Sequence, residues 1–406
     1  MSEEFVFNIL VLLVSAIILG EVFKRIKLPA MVGHLLAGVI IGPTLLGIVH
    51  IDDSFLVFID LAVFFLMFLA GLELHPEEIK KAGKRGIVLS LLAFSIPFLA
   101  TYGLMDALGQ PMITSMFVSL TLAITAVPVS AVVLMEFKLL KSKLGTTVMT
   151  AGIINDILSL VILAIILQMA VNGTDSASPE ESLDMMKVAL STAKIAAFVG
   201  GIFLVDYLLN RFSRQVPRKL IPIFSKLKTR ESGFAILLIV TFGISLLAEM
   251  AGLHFIIGTF FAGLIIYRKI IGKEHFETIN DVYSKITFGF FSPIFFAFIG
   301  TELHAQSLSG SIPLFLMLLA VAIAGKVGGG FLGAKIVGFS TQKSKVIGYL
   351  MNSRGMVELV IAVIGLEAGI IDETMFSIIV AVGFITTILA PIMSRVSIKH
   401  SKESFS

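Results

Sequence analysis

Long apolar segments recur along the chain, and short polar stretches separate them. A transmembrane helix needs about 20 predominantly apolar residues to cross the bilayer core, and thirteen segments approach this length. They cover approximately residues 5–23, 30–47, 55–73, 86–106, 113–136, 145–171, 187–209, 232–250, 253–267, 284–301, 311–336, 345–366 and 374–394. The pattern predicts an all-α polytopic membrane protein with thirteen transmembrane helices, which are numbered here as spans 1 to 13.

The composition supports this prediction and excludes several classes of protein. Of the 406 residues, 57% are hydrophobic and 15% are charged, whereas ordinary globular proteins carry about 25% charged residues. A soluble enzyme or binding module is therefore not expected. The absence of cysteine excludes disulfides and thiolate metal sites. A formal net charge of +3 gives no reason to expect a nucleic-acid partner.

Basic residues gather after the odd-numbered spans. Lys and Arg accumulate in short cytoplasmic loops, and 26 of the 31 basic residues follow spans 1, 3, 5, 7, 9, 11 or 13. The opposite side holds Lys187 together with acidic residues such as Asp52, Asp175 and Asp372. This alternation predicts a multi-pass protein of the cell membrane, with its N-terminus outside and its C-terminus in the cytoplasm.

Span 6 contains a carboxylate deep in the apolar region. Asp156 lies about twelve residues from the cytoplasmic end of the span, a distance of about 18 Å at 1.5 Å per residue. A charge near the bilayer midplane costs at least about 2.5–3.5 kcal/mol, so such residues mark proton relays and ion pathways. Asp156 is therefore the candidate ion-binding residue. The alternative is a carboxylate paired permanently with a buried base that holds helices together.

A lysine in span 11 is the candidate base. Lys326 lies about fifteen residues from the external end of its span, so its depth is comparable with that of Asp156. The segment around it, AGKVGGG, consists mostly of small residues that let neighbouring helices approach closely. The alternative is a lysine whose long side chain reaches the cytoplasmic surface.

Spans 5 and 12 carry polar interruptions at comparable positions. The segment TAVPVS of span 5 places Pro128 and the hydroxyls of Thr125 and Ser130 at mid-membrane, and NSRG interrupts span 12 at Ser353 and Gly355. Non-helical backbone at this depth is tolerated only where it lines a cavity or is buried in protein. Matched interruptions in two halves indicate a transporter site made from inverted repeats. Spans 5 and 12 are each the fifth of six if the repeats are spans 1–6 and 8–13.

An acid and a base in span 12 stand one helical turn apart. Arg354 and Glu358 have the i, i+4 spacing that places both on one face of a helix. We expect an internal ion pair that neutralises both charges and supports the crossing of the broken helices.

These residues and several short motifs resemble the monovalent cation:proton antiporter superfamily. The resemblance is to its second branch, which contains bacterial and archaeal sodium/proton antiporters and the membrane domains of potassium efflux systems. It extends over about residues 5–395. The motifs are LPAMVGHLLAGVIIGP at 28–43, FLAGLEL at 68–74, ND at 155–156, EMAGL at 249–253, GTFFAGL at 258–264, GK at 325–326 and SRG at 353–355.

The resemblance implies a dimeric protein with a scaffold part and an ion-transporting core. Spans 1–3 fall in 5–73, with spans 1 and 2 on the dimerisation side and span 3 beginning the core side. Spans 4–6 (86–171) and 10–13 (284–394) form the core, spans 7–9 (187–267) provide the linker helix and scaffold, and 395–406 is a short cytoplasmic tail. The core is expected to move as an elevator and to carry crossed, broken helices 5 and 12.

The family's residue roles transfer by position. Asp156 matches the aspartate that binds either the cation or a proton, so Asp156 is also the ligand of the transported Na⁺. Lys326 matches the lysine that balances charge in the site. Asn155 stands where electrogenic sodium antiporters carry an aspartate, and with Asp156 as the remaining acid we expect Lys326 to bond to Asp156 in the cation-free state. Thr125 and Ser130 are the candidate oxygen ligands beside it.

The sequence and the resemblance together predict a secondary active Na⁺/H⁺ antiporter. One titratable carboxylate predicts one proton per cation and hence electroneutral exchange. The expected partners are membrane lipid, a monovalent cation, a proton and a second copy of the chain, with no cofactor. The alternatives are a K⁺/H⁺ antiporter of the potassium efflux type without a regulatory domain, a cation channel or uniporter on the same scaffold, and a sodium-coupled symporter of organic solutes.

Overall fold

The architecture is known from a computed structural model of the chain. The structure describes residues 3–49, 51, 53–73, 76–174, 230–265, 273–303 and 310–400, and a few isolated positions between 193 and 204. Within these ranges every regular element is a helix. Outside the described residues lie most of span 7, the basic segments 211–228 and 268–269, and Lys187, Asp52 and Asp175.

The helices follow the predicted spans in order. The first half contains α1 (Glu3–Arg25), α2 (Ala30–Ile41), α3 (Asp53–Glu73), α4 (Pro76–Ala107), α5 (Met112–Ala123), α6 (Val127–Glu136) and α7 (Lys143–Thr174). The second half contains α8 (Arg230–Met250), α9 (Phe255–Ile265), α10 (Lys273–Ile286), the π-helical turn Thr287–Phe291, α11 (Ser292–Thr301), α12 (Ile312–Ile336), α13 (Thr341–Met351), α14 (Met356–Glu367) and α15 (Glu373–His400).

Many of these helices, alone or joined in pairs, are long and apolar enough to cross a membrane. Eight segments within the described ranges meet that standard, two of which join consecutive helices (Met112–Glu136 and Ile279–Thr301), or nine if the bent pair α13 and α14 is one span. Three shorter apolar helices, Ala30–Ile41, Phe234–Met250 and Phe255–Ile265, occupy the positions of spans 2, 8 and 9. The polytopic all-helical class is confirmed. The count of thirteen spans and the inverted repeats stay predictions.

Some helices begin or end at residues other than those predicted from the sequence. Span 2 was expected to reach residue 47, but α2 ends at Ile41 because Gly42 adopts an extended conformation and Pro43 cannot continue the helix. Helix α15 continues to His400, beyond the predicted end of span 13. Pro128 lies in the first turn of α6, a position that proline favours because its missing N–H would have no intrahelical partner.

The chain divides into two compact units. One contains residues 1–55, 77–163 and 293–406, and the other contains 56–76 and 164–292. The second unit packs through aromatic rings: Phe64 stacks on Phe242 at 4.2 Å, and Tyr283 lies 4.7 Å from Phe234 between ring centroids. The predicted assignment of spans to a scaffold and a core stays a prediction.

Glycines on α12 bring three helices of the first unit close together around Lys326. A Cβ at Gly325 would lie 2.8 Å from Pro97 Cα, and one at Gly329 would lie 2.7 Å from Leu92 O, both on α4. On the other side, a Cβ at Gly330 would lie 2.9 Å from Gly348 Cα on α13. Real side chains do not tolerate such distances, so the small residues around Lys326 permit the close helix approach predicted from the sequence.

Candidate functional site

Two broken helices cross in the first unit. Helix α5 ends at Ala123 and α6 begins at Val127, and α13 ends at Met351 before α14 begins at Met356. The two halves of span 12 are bent by 40° at their break. The interruptions predicted in spans 5 and 12 are therefore confirmed, and in span 5 the non-helical residues lie just before Pro128, at 124–126.

Hydrogen bonds join the two breaks to each other. Ala126 N donates to Ser353 O at 2.8 Å, and the Ser353 hydroxyl lies 2.9 Å from Ala126 O. The Ser130 hydroxyl donates to Leu350 O at 2.8 Å and lies 2.9 Å from the Ser353 hydroxyl. Backbone groups that a continuous helix would pair internally are thus paired across the crossing, as unwound backbone inside a membrane requires.

Gly355 allows the close contact between the breaks. A Cβ on Gly355 would lie 2.7 Å from the Cβ of Ala126, a separation that two carbon atoms do not adopt without displacement. The backbone of Gly355 is extended, with φ −169°, so the requirement for glycine comes from the lack of space.

A fully buried ion pair neutralises the ends of two half-helices. Arg354 donates to Thr121 O at 3.1 Å and to Leu122 O at 2.8 Å, which are carbonyls of the last turn of α5. It also pairs with Glu358 in the first turn of α14 at 2.9 Å. Helix C-termini carry partial negative charge and N-termini partial positive charge, so the base faces the negative end and the acid the positive end.

Helix α7 presents Asn155 and Asp156 to the first unit. Asn155 is fully buried and Asp156 is 7% exposed. The Asn155 amide is oriented by two bonds: its Oδ1 accepts from the Ser90 hydroxyl at 2.5 Å, and its Nδ2 donates to Thr125 Oγ1 at 3.2 Å. The amide next to the candidate ion-binding carboxylate is thus tied to α4 and to the break in span 5.

Lys326 is completely buried and reaches the same threonine. Its ammonium donates to Thr125 Oγ1 at 2.6 Å and to Ala93 O at 3.1 Å. Its electrostatic partners include Asp156, Arg354 and Glu358. The expected base therefore lies in the field of the expected acid, while the direct Lys326–Asp156 bond stays a prediction.

Thr125 connects the parts of the site. Its hydroxyl accepts from Asn155 and Lys326 and donates to Met351 O at 3.2 Å, the last residue of α13. One side chain thereby joins α7, α12 and both breaks. The structure brings together nine of the ten predicted site residues: Asp156, Asn155, Thr125, Ser130, Lys326, Arg354, Glu358, Ser353 and Gly355. The tenth, Pro128, lies on α6 with its ring exposed.

Three further residues lie at the site that were not predicted as site residues. Ser90 is one hydroxyl in an apolar helix, and its bond to Asn155 depends on how α4 and α7 pack. Thr387 of α15 donates to Arg354 O at 3.0 Å. Asn352, in the interrupted segment of span 12, is 1% exposed, and neither polar atom of its side chain has a hydrogen-bond partner within the described part of the chain.

The arrangement suits a monovalent cation that passes through the site. A carboxylate, an amide and several hydroxyl and carbonyl oxygens are hard ligands of the kind that alkali cations prefer. Among the described residues, no group of three or more His, Asp or Glu side chains is placed to hold a metal ion permanently.

Comparisons with known proteins identify the family. The family model described as sodium/hydrogen exchanger, transmembrane, matches residues 9–396. A probable Na⁺/H⁺ antiporter 3 of Methanocaldococcus jannaschii is 29% identical over 97% of this chain and 96% of its own length. A Na⁺/H⁺ antiporter of Enterococcus hirae is 30% identical over 97% of both chains, and the Na⁺/H⁺-K⁺ antiporter GerN of Bacillus cereus is 29% identical over 97% and 96%.

A solved structure shares the fold. The sodium proton antiporter MjNhaP1 of M. jannaschii at pH 8 superimposes with a TM-score of 0.69 over 97% of this chain and 98% of its own, at 19% identity. The matched family consists of membrane transporters rather than enzymes, and its members use no resident cofactor. The chain therefore belongs to the sodium/hydrogen exchanger family of transmembrane proteins.

Proposed function

We propose that this protein is a secondary active antiporter that exchanges Na⁺ for H⁺ at Asp156. The observation that carries the proposal is the position of this carboxylate, nearly buried beside Asn155 and within the electrostatic field of Lys326. Relatives named as Na⁺/H⁺ antiporters align over almost the whole chain and support the choice of substrates.

Coupling follows from competition at one group. The ionised carboxylate of Asp156 binds the cation, and protonation removes the charge that holds it. An ionised carboxylate that holds neither ion is costly to move through an apolar barrier. The site therefore crosses only when it holds a cation or a proton, which makes the exchange obligatory.

The exchange is electroneutral in this proposal. Asn155 has an amide where a second acid would titrate, and its amide is engaged with Ser90 and Thr125. Lys326 donates to Thr125 and Ala93, and the proposal requires its charge to be the same whether Asp156 holds Na⁺ or H⁺. Both loaded states of the site then carry equal charge, and one proton moves per cation.

In this proposal the site moves between the two membrane faces by an elevator mechanism. The hydrogen bonds between the breaks, the Arg354–Glu358 pair and the glycine contacts of α12 bind spans 4, 5, 11 and 12 into one body. Such a body moves more readily as a unit than by internal rearrangement. The homodimer, with the N-termini outside and the C-termini in the cytoplasm, belongs to the same proposal.

K⁺ is the second candidate for the transported cation. The relative GerN, aligned over 97% of this chain, is named as a Na⁺/H⁺-K⁺ antiporter. Cavity size and the number of oxygen ligands decide selectivity among alkali cations. Proton flux driven by Li⁺, Na⁺, K⁺ and Rb⁺ in turn ranks the candidates.

The test is Asp156→Asn in proteoliposomes that contain a trapped pH dye. Without the carboxylate, neither cation binding nor protonation is available, so we expect cation-driven proton flux to fall to the level of empty liposomes. Asp106→Asn is the matched control because Asp106 is exposed at the end of α4, and this variant should keep wild-type flux. Normal exchange by Asp156→Asn would disprove the proposal.

A further inference from the structure

A small cavity lies beside the buried ion pair, on the side away from α5. Its walls come from Met31 and Leu35 of α2, from Arg354 and Glu358, and from Gly383 and Thr387 of α15. It leaves about 10 Å³ for the centre of a water molecule. A bound water requires at least about 10–15 Å³ by this measure, so the cavity has room for one.

Two charged side chains have polar atoms without partners beside this cavity. Arg354 Nε and Glu358 Oε2 are buried, and neither has a hydrogen-bond partner among the described residues. The other polar atoms of both side chains have partners. Arg354 Nη1 donates to Glu358 Oε1 and to Thr121 O, and Arg354 Nη2 donates to Leu122 O. Buried polar atoms are nearly always bonded in native proteins, to protein or to ordered water.

We propose that this cavity is a binding site for a single water molecule that bridges Glu358 and Arg354. The water donates one hydrogen bond to Glu358 Oε2 and accepts one from Arg354 Nε–H. Thr387 Oγ1, which donates to Arg354 O, keeps lone pairs that accept the second proton of the water. Three polar partners are typical for a buried water.

The charges around the cavity select a neutral ligand. A cation in the cavity would be repelled by the Arg354 guanidinium, and an anion would be repelled by the Glu358 carboxylate. Water both donates and accepts, so it satisfies the two atoms at once, and the apolar side chains of Met31 and Leu35 are also part of the lining.

Gly383 makes the room for this water. A Cβ built on Gly383 would lie 3.5 Å from Glu358 Oε1 and 3.8 Å from Glu358 Oε2. These are ordinary contact distances, so an alanine methyl at this position fits without moving the backbone. In the proposal this methyl group faces the Glu358 carboxylate in place of the water molecule. A side chain at position 383 would therefore contact both carboxylate oxygens, including the unbonded one.

The bridging water adds hydrogen bonds that support the crossing of the broken helices. Arg354 holds the last carbonyls of α5 through its terminal nitrogens, and the bridge fixes the guanidinium from the other edge. This inference concerns the ion pair alone and does not depend on which ions the protein exchanges, so its failure leaves the proposed antiport untouched.

The test compares the thermal unfolding of two purified variants, Gly383→Ala and Gly383→Ser, with that of the wild-type protein in detergent. Gly383→Ala displaces the water and leaves Glu358 Oε2 unbonded, and we expect the melting temperature to fall by about 2–5 °C. Gly383→Ser supplies a hydroxyl that donates to the same oxygen, so its melting temperature should lie within about 1 °C of wild type. Gly103→Ala is the control, since a Cβ there meets open space.

Helix propensity alone predicts the opposite sign. Alanine stabilises a helix interior relative to glycine, so a Gly383→Ala protein as stable as wild type or more stable would overturn the proposal. The direct observation is a density map at a resolution that shows ordered solvent. A peak within about 3 Å of both Glu358 Oε2 and Arg354 Nε is expected, and its absence, with both side chains well ordered, would equally overturn it.

Discussion

At the scale of single residues, the site depends on side chains whose polar atoms are shared. Thr125 Oγ1 is bonded by both Asn155 and Lys326, and Asn155 is itself oriented by Ser90. Without the Ser90 hydroxyl the Asn155 amide has no donor at Oδ1 and is free to rotate. The amide nitrogen then no longer points constantly at Thr125, and the oxygen atoms near Asp156 lose their fixed arrangement.

Ser90→Ala should therefore weaken cation binding without abolishing exchange. Loss of one buried hydrogen bond costs about 1–3 kcal/mol when a partner is left unsatisfied, so the apparent KM for Na⁺ should rise roughly 5- to 150-fold. Ser95→Ala, on the same helix but only partly buried, should leave KM unchanged. Cation-driven proton flux at a series of Na⁺ concentrations measures both, and an unchanged KM in Ser90→Ala would contradict the role given to this hydroxyl.

At this scale the sequence predicted the charged residues and the polar residues of the motifs, and it missed isolated hydroxyls such as Ser90. Asp156, Lys326, Arg354 and Glu358 are conspicuous because a charge in an apolar run is expensive. A serine such as Ser90 costs little in a helix, since its hydroxyl can bond its own backbone. Its contact with Asn155, 65 positions along the chain, depends on the packing of α4 against α7.

At the scale of elements, the crossing holds only because two backbones approach closely. Hydrogen bonds between Ala126 and Ser353 require the breaks to touch, and Gly355 next to Ser353 provides the space. A methyl group at position 355 would push Ala126 away and weaken these bonds.

Gly355→Ala should destabilise the protein and reduce exchange. Overpacking of this kind typically costs about 1–3 kcal/mol, which thermal unfolding in detergent would detect. In the double variant Ala126→Gly/Gly355→Ala the colliding Cβ is removed, so stability and flux should recover most of the loss. Equal loss in the single and double variants would mean that contact with Ala126 is not the reason for glycine at this position.

The breaks could be predicted from the sequence, but their ends and their geometry could not. Proline and a polar tripeptide inside apolar runs indicate interruption, and both interruptions are present. The non-helical residues of span 5 nevertheless precede Pro128, because proline fits the first turn of a new helix. Span 2 was predicted too long for a related reason: hydrophobicity continues past Ile41, whereas the helix stops at Gly42.

At the scale of the whole molecule, the distribution of charge governs the response to membrane potential. In the proposed cycle the site carries the same charge with Na⁺ as with H⁺, since Asn155 does not titrate and the charge of Lys326 does not change between the two loaded states. The fold class and the family were accessible from the sequence because apolar length and ordered motifs extend over the whole chain. The division into moving and static parts depends on packing that no local pattern encodes.

Electroneutral exchange predicts that potential has no effect on rate. In proteoliposomes clamped with potassium and valinomycin, the initial rate of Na⁺-driven proton flux should be the same at zero and at strongly negative potential. Asn155→Asp provides a contrasting variant, because it restores an acid beside Lys326 and should introduce a dependence on potential. A strong dependence in the wild-type protein would mean that a second proton is carried.

The central claim is that Na⁺ and H⁺ compete for Asp156 alone, and the pH dependence of Na⁺ affinity tests it most directly. Calorimetric titration of the purified protein should give an apparent Kd that rises about tenfold for each unit that pH falls below the pKa of the site, since one proton must leave for each cation bound. It should become independent of pH well above that pKa. A Kd that does not change with pH, or that changes a hundredfold per unit, would contradict competition for a single carboxylate.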